Sequence, residues 1–402
     1  MVIGIIGGGA SGMAAALAAS ETGAQVVLLE RQARLGRKLQ ATGNGRCNLT
    51  NLHALEGGYH GEDPAFVVPA LERYSVEDTL DWFRQMGLLT AAEGSGRVYP
   101  YSDQANSVVD VLRFALEDRG VDVRTGAEVQ RVRWEDGRYR VMYADGELVC
   151  QKLIIACGGL AGTKLGGSMS GYQLLRGFGH PVTRLRPTLV QLKCGWKGVA
   201  ALKGVRAECH AAVLRDGLLH RESRGEIQFT EYGLSGPVIF EVSRDACQGK
   251  GDWVCKLDFL PQMTAQELER ELRRRCVGSR KVEDLLVGIL HNRLGRVLCQ
   301  NVGLRLELPV DRVTDDQIRE LTQAVKAFEV ELTEPLGMDS AQVTAGGVRT
   351  DGFDPETMES RLIPGLYACG EVLDVDGDCG GYNLQWAWSS GRSAGASAGK
   401  RM

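Results

Sequence analysis

The stretch Val2–Glu30, VIGIIGGGASGMAAALAASETGAQVVLLE, decides the fold of this chain. It opens with an apolar run of the length of a buried strand, which a glycine-rich turn at residues 7–12 ends. Small residues with helical character follow, and a second apolar run, Val26–Leu29, ends on Glu30. This order predicts a strand, a tight turn, a helix and a second strand.

The glycines of the turn have the spacing of a dinucleotide-binding fingerprint. Gly7 permits the sharp turn, Gly9 lets a pyrophosphate approach the backbone, and Gly12 lets the helix pack closely on the sheet. The free N–H groups at the start of the helix then face the phosphates. Glu30 lies 18 residues after Gly12, where a carboxylate accepts hydrogen bonds from a ribose with a free 2′-hydroxyl. The pattern therefore favours FAD or NAD over NADP, and a dinucleotide site over a plain structural turn.

Composition and charge limit the classes of partner. The chain has 402 residues, of which 44% are hydrophobic and 24% charged, as in an ordinary globular protein of two or three domains. A net charge of −4 gives no overall electrostatic attraction to nucleic acid or to an anionic membrane, so neither is expected as a binding partner on this ground. The uncharged residues 2–19 follow no basic residue, and their glycines disfavour a membrane helix. We therefore predict a cytoplasmic protein without a membrane partner.

Cysteine and histidine spacing argues against metal and dithiol chemistry. The 11 cysteines include no CxxC pair, which argues against a zinc ribbon and against a dithiol relay. The six histidines form no HExxH or comparable spacing. We predict reduced, mostly buried thiols and no metal.

A second glycine-rich segment, TGNGRCNLTN, occupies residues 42–51, after GRKL at residues 36–39. Its density of glycine, asparagine and threonine excludes a regular element and supplies many hydrogen-bond donors. With Arg37, Lys38 and Arg46 it suits the second wall of an anion site, although most such segments are polar surface loops.

The decapeptide and the GRKL before it resemble the signature of a group of bacterial three-domain NAD(P)/FAD-dependent oxidoreductases, which includes aminoacetone oxidase and the bile-acid Δ4,6-dienone reductase. The resemblance implies an α/β fold, with a Rossmann-like FAD-binding domain built from both chain ends, a β-rich insert and a helical insert. The bounds that we predict are 1–187 and 342–402 for the FAD-binding domain, 188–260 and 329–341 for the β-rich insert, and 261–328 for the helical insert.

Three later segments add to the expected cofactor site. A hairpin around residues 135–137 is predicted, and by resemblance Val129 at its entry meets the adenine. A buried strand at residues 152–156 leads to Gly158, a second close approach of backbone to dinucleotide. A strand that reaches Gly370 and Glu371 places a carboxylate over the crevice where ligands bind, and by resemblance Glu371 contacts the flavin ribitol.

The last expected element is a helix that starts at Gly381–Leu384. By resemblance its N-terminus points at the pyrimidine end of the flavin, where its dipole stabilises negative charge on the reduced cofactor. The GxSxG matches later in this helix follow no strand, so we interpret them as small residues that allow close packing, not as a hydrolase motif. The residues that we expect at the cofactor are Gly7, Gly9, Ala10, Ser11, Gly12, Glu30, Arg31, Lys38, Thr42, Gly43, Asn44, Gly45, Arg46, Cys47, Asn48, Val129, Gly158, Gly370, Glu371, Gly381, Tyr382, Asn383 and Leu384.

Local signals also predict parts of the remaining structure. Short strands such as Ala211–Leu214 and Ile227–Phe229 indicate the β-rich insert, and Gly94–Asp103 is predicted to be a loop. Capping boxes predict helix starts at Ser75 with Asp78, Thr264 with Glu267, and Thr314 with Gln317.

The expected cofactor is FAD, with NADH or NADPH as a transient reductant, because we find one strand-GxGxxG-helix unit. A small-molecule substrate is expected against the isoalloxazine, covered by the β-rich insert, with hydride passing through N5. Given the family, the favoured reaction is reduction of a conjugated C=C bond in an enone, steroid-like or bile-acid-like, and oxidation of a small amine by oxygen stays open. Candidate proton- or anion-handling groups are Arg46, Arg97, Tyr101 and Tyr382, and none is assigned as catalytic.

The alternatives come from different classes of protein. A flavin-dependent RNA-modifying or RNA-binding protein would use the basic cluster Arg270–Lys281. Such a run is usually a solvated helix face, and no aromatic residues are interleaved with it, so we expect no nucleic acid partner. A flavin-binding sensor without turnover is the third hypothesis.

Overall fold

The predicted opening unit forms as β1 (Val2–Ile6), α1 (Ala10–Ser20) and β2 (Gln25–Glu30) in a computed structural model that describes residues 1–400. β1 and β2 are parallel, and almost every side chain in both is at least partly buried. Since alternate side chains of a strand point to opposite faces, such strands must be covered on both faces of the sheet.

The remaining elements follow the order of an α/β domain with an insert. The strands are β1 and β2, β3 (Thr50–Asn51), β4 (Tyr59–His60), β5 (Thr90–Ala92), β6 (Arg97–Pro100), β7 (Asp122–Thr125), β8 (Val129–Glu135), β9 (Arg138–Tyr143), β10 (Gly146–Cys150), β11 (Lys152–Ile155), β12 (Arg186–Thr188), β13 (Leu192–Cys194), β14 (Arg206–Arg215), β15 (Leu218–Phe229), β16 (Gly233–Ser235), β17 (Trp253–Asp258), β18 (Phe328–Pro335), β19 (Val343–Ala345), β20 (Leu366–Ala368) and β21 (Asp376–Gly377). The α-helices are α1, α2 (Arg37–Ala41), α3 (Val68–Arg73), α4 (Val76–Gln85), α5 (Ala105–Asp118), α6 (Ser170–Gly177), α7 (Pro237–Ser243), α8 (Ala265–Arg275), α9 (Asn292–Asn301), α10 (Asp315–Lys326) and α11 (Tyr382–Gly399).

The central sheet has five strands in the order β20-β11-β1-β2-β7, and every neighbouring pair is parallel. β2 and β7 extend the sheet on one side of β1, whereas β11 and β20 extend it on the other. The strand order therefore reverses between β1 and β11, and open α/β sheets bind ligands outside the carboxyl ends of their strands at such a point. The predicted Rossmann-like α/β fold is confirmed.

The hairpin predicted around residues 135–137 is confirmed by β8 and β9, which pair with Glu135 opposite Arg138. Asp136 and Gly137 connect them with φ angles of 52° and 71°. A positive φ at both central residues is typical of the type I′ turn, whose twist matches that of the strands.

The prediction of a loop at Gly94–Asp103 is wrong in part, because β6 occupies Arg97–Pro100. β6 pairs with β3 on one side and β5 on the other, so that Asn51 lies opposite Arg97. Val98 is only 1% exposed. Its burial and the two strand pairings outweigh the turn-forming residues on either side of this short strand.

The chain divides into two compact units, of which one contains Met1–Arg186 and the described residues after Ala341, and the other contains Pro187–Ala341. In the second unit, six strands close into a barrel in the order β13-β16-β15-β14-β17-β18. β14 and β15 have 10 and 12 residues and are longer than predicted. More than half of the residues in β15 are polar, and most of the strand is exposed or only partly buried. It therefore shows no apolar pattern and is held by pairing with β14.

The helices of the second unit share a hydrophobic core with its barrel. Leu268 of α8 and Leu321 of α10 belong to the same buried cluster as Leu257 of β17 and Phe328 of β18. We predicted a β-rich insert and a helical insert, and the two form one compact unit in the structure. The apolar faces of the strands and of the helices cover each other, so they share one core.

The three capping boxes are confirmed at the starts of α4, α8 and α10. In each, the cap side chain accepts from the backbone of the third helical residue, whose side chain accepts from the cap backbone in return. These local signals hold because they depend on neighbours within one turn of chain.

Helices α1 and α11 bring the two ends of the first unit together with their backbones nearly in contact. A Cβ atom built on Gly391 would lie 2.4 Å from the carbonyl oxygen of Ser11, and one on Gly395 would lie 2.1 Å from that of Ala15. Residues four apart lie on one face of a helix, so α11 presents a stripe without side chains to α1. The GxSxG matches therefore mark close helix packing.

We expect Gly395→Ala to lower the free energy of unfolding by about 1–3 kcal/mol or more, because its methyl group would force the two helices apart. Chemical denaturation monitored by circular dichroism measures the change. Gly177→Ala in α6 is the matched control, since a Cβ there meets nothing within 4 Å and alanine is the better helix former. Equal stability of Gly395→Ala and the wild type would contradict the close packing.

Candidate functional site

The carboxyl ends of four neighbouring strands bring the predicted cofactor residues into one crevice. The glycine turn follows β1, Glu30 ends β2, Gly158 follows β11, and Gly370 with Glu371 follows β20. These strands are adjacent in the sheet, so the residues after them lie along a single edge.

The glycines of the first turn have different surroundings. A Cβ on Gly7, whose φ is 110°, would lie 2.3 Å from the carbonyl oxygen of Ala156, and one on Gly12 would lie 1.8 Å from that of Gly7. A Cβ on Gly9 would meet nothing within 4 Å, and the same holds for Gly158. Gly7 and Gly12 are therefore required by packing, whereas Gly9 and Gly158 leave open backbone beside the crevice.

The start of α1 also contacts the strand end that carries Glu371. A Cβ on Gly370 would lie 2.5 Å from Oγ of Ser11, so Ser11 lies against the turn after β20, and Ala10 precedes it at the start of the same helix. The N–H of Gly370 donates to Oγ of Ser390 at 3.0 Å. α11 thus fixes the position of this turn.

Glu30 is fixed by backbone donors at the end of β2. Its Oε2 accepts from the N–H of Gly8 at 2.7 Å, and its Oε1 accepts from that of Gln32 at 2.7 Å. Its carbonyl accepts from the N–H of Ala127 at 2.9 Å. This last bond brings the start of β8, with Val129, towards the end of β2.

Four residues of the segment Thr42–Asn48 have a left-handed backbone. The φ angles are 57° at Gly43, 56° at Asn44, 86° at Gly45 and 62° at Cys47. Such a conformation costs free energy for residues other than glycine and is concentrated at functional sites. Oγ1 of Thr42 caps the preceding helix by donating to the carbonyl of Leu39 at 2.6 Å.

Asn48 carries a buried hydrogen-bond acceptor that the described residues do not use. Its Oδ1 is shielded from solvent and has no hydrogen-bond partner within residues 1–400. Buried polar atoms are almost always paired, so this oxygen is suited to a donor group on a ligand.

Lys38 and Glu371 join the early and late parts of the first unit. Nζ of Lys38 lies 2.8 Å from Oε2 of Glu371, whose side chain is 19% exposed. Oε1 of the same carboxylate accepts from the N–H of Thr344 at 2.9 Å. Both are predicted site residues, and Thr344 is one that the sequence analysis missed because β19 is only three residues long.

The side chains of Arg31 and Arg46 already have hydrogen-bond partners within the protein. Arg31 donates to the carbonyl of Gly166 at 2.5 Å. Arg46 lies 3.0 Å from Oε1 of Glu93 and 2.5 Å from Oδ1 of Asp103, with its guanidinium 4.1 Å from the ring centre of Tyr99. The hydrogen bonds that Arg46 donates to Asp103 and Glu93 raise the pKa of its guanidinium. The structure therefore directs Arg46 to surface carboxylates.

The residues at the start of α11 hold the helix against β3. A Cβ on Gly381 would lie 2.3 Å from the carbonyl oxygen of Thr50. Asn383 exchanges two hydrogen bonds with the backbone of Gly377, at 2.9 and 2.7 Å. The Tyr382 ring packs edge-on against Tyr59, with centroids 5.8 Å apart, and Leu384 packs against the core.

The thiols near the crevice are not activated. Burial raises the pKa of Cys47, Cys157 and Cys369 to about 12, so they stay protonated at neutral pH. In the part of the chain that the structure describes, the cysteines are free and no group of three or more His, Cys, Asp or Glu residues could hold a metal. No helix within those residues has the length and apolar character needed to span a membrane.

These residues fit FAD. The open backbone at Gly9 and Gly158 suits a pyrophosphate, and the carboxylate of Glu30 suits a ribose. The unpaired oxygen of Asn48 and the polar pair Lys38–Glu371 suit the flavin part of the molecule.

The fold and this crevice define a dinucleotide-binding flavoprotein of the Rossmann type. The chain belongs to the HI0933-like family, since the model described as the HI0933-like protein Rossmann domain matches residues 1–397.

Known proteins give more detail. The chain is 41% identical over 408 residues to the 3-dehydro-bile acid delta(4,6)-reductase of Clostridium scindens, covering 99% of each. It is 32% identical over 396 residues to the ribosomal RNA dihydrouridine synthase of Escherichia coli, covering 96% of this chain and 95% of that protein. The fold is similar to that of 3-ketosteroid-delta4-(5alpha)-dehydrogenase from Rhodococcus jostii RHA1, with a TM-score of 0.52, 16% identity and coverage of 99% and 96%. The chain is thus a member of a group of FAD-dependent oxidoreductases.

We expect Lys38→Met and Glu371→Gln each to weaken FAD binding roughly ten- to a hundredfold, because each leaves a partly buried polar group without its partner. The loss of FAD affinity in the double variant should be smaller than the product of the two single losses, because each single variant already breaks the same ion pair. Titration of the apoprotein, followed by flavin fluorescence, measures the dissociation constants. Lys193→Met, which breaks an exposed ion pair with Glu334, is the control, and full additivity in the double variant would contradict the pairing.

Proposed function

We propose that this protein reduces a carbon–carbon double bond conjugated to a carbonyl group in a small organic substrate, with electrons from NADH or NADPH. The observation that carries the proposal is the 41% identity, over 99% of both chains, to an enzyme named for delta(4,6) reduction of a 3-dehydro-bile acid. A steroid-like or bile-acid-like dienone is therefore the first substrate class to test.

Bound FAD would supply a flavin N5 that accepts a hydride and passes it on. The chain would hold the adenosine at Glu30, the pyrophosphate at the turn after β1 and the backbone of Gly158, and the flavin between Thr42–Asn48 and the start of α11. The N-terminus of α11 would stabilise negative charge on the reduced cofactor. Because we find one dinucleotide fingerprint, the nicotinamide is expected to bind transiently.

We expect NADH or NADPH to bleach the flavin of the anaerobic holoenzyme, and a 4,6-dienone to restore its absorbance faster than oxygen does. The reason is that the site would hold the dienone at the reduced flavin, whereas oxygen reacts by encounter. Stopped-flow absorbance measures both reoxidation rates, with a saturated ketone as control. Fast reoxidation by oxygen that enones do not change would instead favour an amine oxidase, and failure of both nicotinamides to bleach the flavin would contradict this source of electrons.

A second candidate is reduction of uridine in RNA, favoured by the 32% identity to a ribosomal RNA dihydrouridine synthase. Uridine also carries a C=C bond conjugated to a carbonyl, so the two candidate reactions have the same bond chemistry. The basic cluster Arg270–Lys281 is largely neutralised, however. Arg273 pairs with Glu269 at 2.8 Å and also with Asp315, and Arg274 and Arg275 pair with Glu271 at 3.0 and 2.7 Å. The small-molecule substrate is therefore the first choice.

We expect unmodified ribosomal RNA to gain no dihydrouridine when incubated with the holoenzyme and NADPH, because few cations of the basic cluster are available for phosphate contacts. Mass spectrometry of nucleosides measures the modification, and a gel shift at two salt concentrations measures binding. Dihydrouridine formation, with binding that weakens steeply as salt rises, would replace the dienone proposal by the RNA one.

A further inference from the structure

Arg97 differs from the other candidate cations because its guanidinium makes no hydrogen bond or ion pair within residues 1–400. Lys38, Arg31 and Arg46 each bind a carboxylate or a carbonyl oxygen. The Arg97 side chain is partly buried and makes no hydrogen bond or ion pair with any residue from 1 to 400. The N–H donors of its guanidinium are therefore available to an acceptor on a ligand.

The position of Arg97 is set by the small sheet of β3, β5 and β6. Asn51 lies opposite Arg97 across the strands, and Tyr99 lies on the same face because side chains alternate along β6. Val98, between them, points into the core and is 1% exposed. One face of this sheet therefore presents Asn51, Arg97 and Tyr99 together.

That face contacts both glycine-rich segments that are expected to hold the flavin. Nδ2 of Asn51 donates to the carbonyl of Gly380 at 2.9 Å, and Nε of Arg97 would lie 3.0 Å from a Cβ built on Gly380. On the other side, the Tyr99 ring would lie 3.3 Å from a Cβ built on Gly43. Arg97 is thus next to the start of α11 and on the same face as a side chain that packs on the Thr42–Asn48 loop.

We propose that Arg97 binds the carbonyl oxygen of the conjugated substrate and stabilises the negative charge that forms there, an inference that rests on the proposed function. A hydride from the reduced flavin adds to the β-carbon, and the electron pair of the C=C bond shifts towards the carbonyl. The oxygen then carries the enolate charge until a proton from solvent reaches the α-carbon. Two C–H bonds form, the C=C bond is lost, and the flavin is oxidised by two electrons.

The guanidinium suits this role because its hydrogen bonds become stronger as the acceptor gains charge. Donors that are already in place when charge develops in a water-poor site lower the barrier most. The N-terminus of α11, next to Arg97, adds a partial positive charge of the same sign.

Arg97→Met and Arg97→Lys test the assignment in the holoenzyme. We expect Arg97→Met to slow the oxidation of the prereduced flavin by a 4,6-dienone roughly 10²- to 10³-fold, and Arg97→Lys to slow it less. Flavin content and the rate of flavin reduction by NADPH should stay as in the wild type. Arg113→Met is the control, since Arg113 pairs with Glu117 at 3.0 Å on the exposed face of α5.

A second measurement does not depend on turnover. A polarised carbonyl shifts the absorption of a conjugated dienone to longer wavelength and lowers its C=O stretching frequency. We expect both shifts when the dienone binds to the oxidised wild-type holoenzyme, and neither in Arg97→Met. Infrared difference spectra with an 18O-labelled carbonyl isolate the stretch.

The outcomes separate the two proposals. A wild-type enzyme that no enone reoxidises would remove the proposed function and this assignment with it. A wild-type enzyme that reduces the dienone, with unchanged rates and carbonyl shifts in Arg97→Met, would overturn the assignment alone. Loss of FAD from Arg97→Met would also overturn it, because Arg97 would then hold the cofactor.

Discussion

The first unit depends on contacts between backbones that no side chain separates. Gly12 brings α1 against the turn that Gly7 begins, and Gly391 and Gly395 bring α11 against α1. These contacts set the position of both helix starts, so the residues after β1 and the residues before α11 face one crevice. Glycine is needed at each point because a methyl group would overlap a carbonyl oxygen.

The sequence predicted the parts of the structure that depend on local chemistry. The opening strand-turn-helix-strand unit, the turn at Asp136 and Gly137, and the three capping boxes follow from residues that are neighbours in the chain. It did not predict β6, because that strand is stabilised by pairing with segments about 10 and 50 residues away. The barrel was expected only as a set of short strands, since more than half of β15 is polar and the strand has no apolar pattern.

The candidate site shows the same division. Residue types, spacing and the family resemblance predicted the glycine turn, Glu30, Lys38 and Glu371 as site residues. They did not predict the ion pair between Lys38 and Glu371, which joins residues 333 apart. Thr344 carried no signal in a three-residue strand. From the sequence, Arg46 and Arg97 were both candidate proton- or anion-handling groups, and only Arg46 was among the expected cofactor residues. The structure separates them, because Glu93 and Asp103 bind Arg46 and no acid binds Arg97. Which cation has a partner is a property of the folded chain.

The ion pair between Lys38 and Glu371 also has a consequence for biosynthesis. The ribosome completes the whole barrel unit in the interval between adding these two residues, and while it does so β11 lacks its later neighbour β20. Closing so long a loop carries an entropic cost that is recovered only when the distant contacts form. If the flavin binds at the start of α11, as proposed, its capture follows translation of that helix, and the edge of β11 is open to mispairing until β20 has been made.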